Sequence, residues 1–166
     1  MNIEIIKSRF ISKLIYLSEN ELLEKPTVIG YEKKFKWSWL ATQLNTFIIV
    51  SDFGDIKITP QIIENHITAG FQYAKNNYTG WPRGLQSGLG VISILISSEI
   101  DQESIQYCKK LKSGKKWAGF TIPVTVNSSS QSVYYFDKNP MWGRIYYPHF
   151  KKLIIETLKP LHTDYS

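Results

Sequence analysis

Cysteine is nearly missing from this chain: Cys108 stands alone among 166 residues. A single thiol excludes an internal disulfide and any Cys-rich metal centre. Histidine is almost as scarce. His66, His149 and His162 are the whole set, and no two of them have the close spacing of paired metal ligands. Long hydrophobic runs are also absent, since no segment approaches the roughly 18 apolar residues that cross a bilayer. The stretch Met1-Asn2-Ile3-Glu4-Ile5-Ile6-Lys7 lacks the basic region and apolar core of a secretory signal. These absences predict a cytoplasmic protein with no transmembrane segment, and neither a cofactor nor a metal is expected. Internal repeats and low-complexity tracts are lacking too.

What the chain does have is charge of one sign and aromatic rings. Twenty Lys and Arg against 14 Asp and Glu give a formal charge of +6. That balance favours an acidic partner: nucleic acid, an acidic protein or ligand, or an anionic membrane surface. Ten Tyr, eight Phe and five Trp exceed what a core of this size requires, so part of the surplus is expected at a contact surface. The length predicts one globular domain over residues 1–166, burying about 70% of the surface of its unfolded chain.

Periodicity predicts a helix over 3–17 from Ile3, Ile6, Phe10, Leu14 and Leu17. Three strands follow, at 27–31, 35–41 and 46–51, as an antiparallel meander. Thr59-Pro60 reads as a helix start, a hydroxyl cap followed by proline at the first helical position. The run Val91–Ser97 reads as the central strand, and Asp101 as the cap of a helix with Ile105, Cys108 and Leu111 inward. A strand with Phe120, Ile122, Val124 and Val126 on one face is followed by a return strand at Val133–Phe136. Within the first of these, Pro123 marks an edge or bulge. The last helix starts near Pro148, with Phe150, Leu153, Ile154 and Leu158 inward. The predicted fold class is α/β or α+β: one domain, a mixed sheet of about six strands with helices packed on it.

Several stretches carry candidate chemistry. Asp52, Asp55 and Lys57 resemble a compressed magnesium-nuclease arrangement, in which carboxylates hold the cation and a lysine lies near the attacking water. Their close spacing in a turn fits a strand-to-helix connection better. Asp52-Phe53-Gly54 also matches a protein-kinase tripeptide, but the rest of the kinase signature is missing. His149, at a helix start within Tyr146-Tyr147-Pro148-His149-Phe150, is a candidate acid or base without a visible partner. Cys108 lies on a helix face that points inward and His66 beside one, as core residues do. The Gly80–Gly90 loop holds Trp81 and Arg83 amid glycines. A phosphate loop runs from strand to helix, whereas here the helix comes first, so nucleotide binding is not expected.

Two aromatic segments complete the set. Lys33-Lys34-Phe35-Lys36-Trp37-Ser38-Trp39 interleaves cations with rings, as single-strand nucleic-acid binders do, but the expected reading of the same alternation is one buried face of Phe35, Trp37 and Trp39 with solvated lysines between. Trp142, Arg144, Tyr146 and Tyr147 belong to the residue types that dominate interface hot spots. No nucleophile is paired with a base. The sequence therefore predicts a non-enzymatic binding protein, with Trp81, Arg83, Trp142, Arg144, Tyr146 and Tyr147 as its recognition residues. Two alternatives follow. One is a nucleic-acid binder or magnesium-dependent nuclease using Asp52, Asp55 and Lys57. The other is a small-substrate enzyme in which Arg83 and His149 meet across a pocket.

Overall fold

The computed structural model describes residues 2–82, 86–110, 119–138, 140 and 144–159. They form a six-stranded mixed sheet whose strands lie side by side in chain order, with four helices packed on it. The expected fold class is the observed one.

The first helix, α1 (Ile3–Ser12), is capped by the Asn2 side chain, which accepts from the Glu4 amide at 2.9 Å. It buries Ile6 and Phe10, but it stops short of the predicted end at residue 17. Leu14 takes a left-handed conformation (φ 57°) and is 93% exposed, so the stripe does not continue through it. Residues Tyr16–Leu22 become an edge strand, β1, turned back through Leu23 and Glu24 into β2 (Lys25–Lys36). Both turn residues have positive φ, the geometry of a two-residue hairpin turn.

β2 then runs antiparallel to β3 (Thr42–Asp52) in unbroken register, Thr27 opposite Ser51 and Lys36 opposite Thr42. The strand expected at 35–41 is therefore corrected: its first residues end β2, and Trp37–Trp39 form one 3-10 turn at the hairpin's end. Two parallel strands, β4 (Ser87–Ser97) and β5 (Gly119–Asn127), follow β3. Parallel neighbours need crossover connections. Helix α2 (Pro60–Asn76) and helix α3 (Gln102–Lys109) lie on those two paths, capped by Thr59 and Asp101 as expected. β6 is only Val133–Tyr134, shorter than the predicted return strand, and pairs with Val126 and Thr125. Pro123 thus lies on a length of β5 that has no β6 partner, where its missing N–H costs no ladder bond.

Every residue of β4 is buried, as a strand flanked by strands and covered on both faces must be. On one face Val28, Leu44, Ile48, Val50, Ile92, Ile94 and Val124 meet α1 and the last helix, α4 (Tyr147–Leu158). On the other, Ile29, Phe47, Ile49, Leu89 and Val91 meet α2. Among the described residues, no helix is long and apolar enough to cross a membrane.

Candidate interaction surface at the end of the β2–β3 hairpin

Strand alternation decides what the hairpin shows on each side. Odd-numbered residues of β2 share the α2 face, where Tyr31 stacks on Phe47 at 4.3 Å. Even-numbered residues share the α4 face, where Glu32 meets His149. At the far end of the strand the two sides diverge in kind.

On the α2 side, Phe35 meets Trp37 edge-on, with ring centres 5.2 Å apart, and Trp81 at a tilt, with centres 5.8 Å apart. Exposure is 38% for Phe35, 81% for Trp37 and 47% for Trp81. The buried face expected of Phe35, Trp37 and Trp39 is therefore overturned: a 3-10 turn rotates successive residues away from the period of two. Only Trp39, at 4% exposure, goes inward. Leu40, at the same turn, is also 81% exposed. Leu40 and Ala41 both lie in the left-handed region, with φ of 56° and 54°. Non-glycine residues rarely adopt that conformation, and each such residue costs on the order of 1 kcal/mol.

Trp81 is held by a polar lattice at the start of β3 and β4. Its amide donates to Gln43 Oε1 at 3.0 Å, and its carbonyl accepts from the Tyr78 hydroxyl, which also meets Ser87. The Tyr31 hydroxyl donates to Asn45 Oδ1 at 2.9 Å, and Lys33 Nζ donates to the Thr79 carbonyl at 3.2 Å. Asn45 is fully buried under this loop. A Cβ on Gly80 would come within 2.7 Å of Asn45 Cγ, so the glycine is required for the loop to lie this close. Gly80→Ala is expected to dislodge Trp81 while leaving the far end of the sheet intact. Amide exchange at Thr79 and Trp81 should quicken at least tenfold while Ile94 and Val124 stay protected. Unchanged exchange at Trp81 would show that the lattice does not hold it.

On the α4 side, Trp39 packs against His149 at 5.1 Å and Tyr146 at 5.6 Å, and the Lys36 ammonium sits 4.7 Å over its ring. His149 does have a partner: its Nε2 lies 2.6 Å from Glu32 Oε2. Burial raises the Glu32 carboxyl, but the hydrogen bond and charge of His149 outweigh it, and the group ends below its ordinary range. Such a pair fixes α4 to β2 and orients an imidazole. By itself it supplies no nucleophile.

The other sequence candidates do not gather here. Asp52 ends β3, and its Oδ1 accepts from the Gly54 amide at 2.9 Å in an Asx turn. Asp55 accepts from Ser98 Oγ at 2.8 Å, and Lys57 is exposed. Asp52 stands six positions along β3 from Thr46, the partner of Glu32, about 20 Å at the rise of a strand. Asp52 and His149 therefore sit toward opposite ends of the sheet. Among the described residues, no group of three or more His, Cys, Asp or Glu could hold a metal ion.

Arg83 and Trp142 lie outside the described residues. Arg144 is exposed, Tyr146 is half-buried against Trp39 and Phe120, and Tyr147 is buried with its hydroxyl donating to the Phe136 carbonyl. Tyr147 is thus a core residue. So is Cys108, whose thiol burial pushes up to about 11, with Thr125 partly offsetting. At neutral pH it is a thiol rather than a thiolate.

Nothing in the sequence alone marks Trp37, Phe35 and Leu40 as surface residues. The usable signal was the Lys33–Trp39 interleaving, which marks the right segment without saying which rings stay outside. Neither the family models nor the curated proteins nor the solved structures compared with this chain match it.

Proposed function

We propose that this chain is a non-enzymatic binding protein, working in the cytoplasm, whose recognition surface is the end of the β2–β3 hairpin together with Trp81. The observation that carries the reading is an indole left 81% exposed on a strained turn, with Phe35 between it and Trp81, whose backbone a polar lattice holds in place. Exposed apolar groups are ordinary when scattered singly. Here Phe35, Trp37, Leu40 and Trp81 cluster at one end of the sheet, where covering them would recover what their exposure costs. Anchoring also limits the ordering entropy lost on binding.

A photo-crosslinking phenylalanine derivative at position 37, which keeps an aromatic ring there, tests this in producing cells, with one at position 56 as control. Position 56 lies at the opposite end of the sheet, where Ile56 is 43% exposed. A discrete adduct from position 37 and none from 56 is expected. Trp37→Ala should then weaken the purified complex by about 30-fold or more, the range of a hot-spot indole. Equal labelling from both positions, or none from either, would remove the assignment.

A second reading is single-stranded nucleic acid, favoured by the exposure of Phe35 and Trp37 next to Lys33, Lys34 and Lys36. It expects retention of a 20-nucleotide oligo(dT) that falls steeply with salt. Failure to retain that oligonucleotide at 50 mM salt would discard it.

A further inference from the structure

We infer that the hairpin end is a plug for an acidic-rimmed cleft on a partner protein, a reading that rests on the recognition surface proposed above. Two observations choose this occupant. The first is convexity. Trp37 and Leu40 are both 81% exposed at the turn itself, so the apolar groups crown a ridge rather than floor a groove. A ridge is complementary to a concave site.

The second is where the cations stand. Along β2, Lys33 belongs to the α2 face, and its ammonium lies 5.5 Å over Tyr31. Lys34 and Lys36 belong to the α4 face, Lys36 over Trp39 and Lys34 near enough to help lower Glu32. The positive charge therefore straddles the ridge. Glu32 is the one acid between residues 31 and 42, and His149 pairs with it. A single strand stacked on Phe35, Trp37 and Trp81 would follow the α2 side and meet Lys33, leaving Lys34 and Lys36 behind the sheet. A cleft with carboxylates on both lips meets all three lysines while its floor covers Trp37 and Leu40. Burial of the rings supplies affinity, and the flanking charges supply steering and register.

The test takes the adduct formed from position 37 and asks two things of it. It should resist nuclease and yield to protease, and the partner should be purified from it. Carbodiimide treatment of the native complex, which joins amines to neighbouring carboxylates, should then couple partner Asp or Glu to Lys33 and also to Lys34 or Lys36. Lys33→Glu and Lys36→Glu should each weaken that complex about tenfold at low salt, with circular dichroism unchanged. A nuclease-sensitive adduct overturns the cleft while leaving the recognition surface standing, as does coupling from one face only. Quenching of Trp37 fluorescence by oligo(dT) that disappears in Trp37→Phe would likewise overturn it. Absence of any adduct at position 37 removes the surface itself and the cleft with it.

Discussion

Phe150→Ala is expected to lower the free energy of unfolding by about 3–5 kcal/mol, the range for a buried aromatic truncated to alanine. Phe150 is 1% exposed on the inner side of α4, and its ring lies 5.9 Å from that of Phe120. The ring has a fitted seat. A Cβ added to Gly90, in the middle of the sheet, would stand 2.6 Å from Phe150 Cε1. Strand β4 lacks a side chain there because the helix has put one in its place. Truncation leaves a void over a fully buried strand, and β4, paired along both sides, cannot move in to fill it. Urea unfolding should show the loss as a lower midpoint with an unchanged slope. Gly90→Ala should cost about 1–3 kcal/mol by overpacking the same seat. Combined with Phe150→Leu, it should cost less than the sum of the two, since each change relieves the other. Strict additivity, or a loss under about 1 kcal/mol for Phe150→Ala, would mean that α4 reseats freely on the sheet.

Between pH 6.5 and about 4 the folded chain is expected to lose about 3 kcal/mol of stability through His66 alone. Burial holds this imidazole down to about 4, against 6.5 for the free side chain. The unfolded chain therefore takes up a proton on His66 first as pH falls, and stability rises with pH across that window. The surrounding bonds say why the neutral ring is wanted. Thr27 Oγ1 donates to the Lys25 carbonyl at 2.9 Å and so receives the Ser51 hydroxyl, 2.6 Å away. Ser51 then accepts from His66 Nε2 at 2.7 Å, which leaves Nδ1 to accept from Ser93 at 2.6 Å. One tautomer satisfies the whole row, and a second ring proton would face the hydroxyl hydrogen of Ser93. His66→Gln should flatten the pH dependence over this range while lowering stability at pH 7. Denaturant titrations at half-unit steps from pH 4 to 7.5 compare the two. If both chains show the same slope, His66 is not the group that titrates.

How much of this could be read beforehand depended on how local the signal was. Helix α2 was legible because Thr59-Pro60 is a start written in adjacent residues, and α3 because Asp101 caps it. Strand β4 is legible from Val91 onward, where only Ser93 interrupts the apolar residues before Ser97, while Ser87–Gly90, which read as part of the glycine loop, extend it at the start. From Leu14 to Leu40 the local pattern misleads at both ends for a shared reason. Leu14, Leu40 and Ala41 are left-handed without being glycine or asparagine, so the turns they make carry no composition signal. Helical spacing in Leu14 and Leu17, and alternation in Trp37 and Trp39, then passed for core patterns. The pairing of Glu32 with His149 joins residues 117 apart and leaves no trace in local sequence. Tyr147 reads as surface because its segment is aromatic, but one residue's shift along a helix start decides between burial and exposure.

The order of the sheet has a bearing on where a ligand can sit. Open α/β sheets bind small molecules beyond the carboxyl ends of their strands, in the crevice that opens where successive crossovers part to opposite faces. Here each strand is laid beside the one before it from β1 to β6, and helices α2 and α3 follow the same direction of travel. The crossovers never diverge, so the topology opens no such crevice. At those carboxyl ends the chain instead closes on itself, through the bridge between Ile58 and Ile100 and the bond from the Ser128 amide to the Ser97 carbonyl. Across its parallel strands, β3 to β5, the sheet is wound one way, a shelf without a notch.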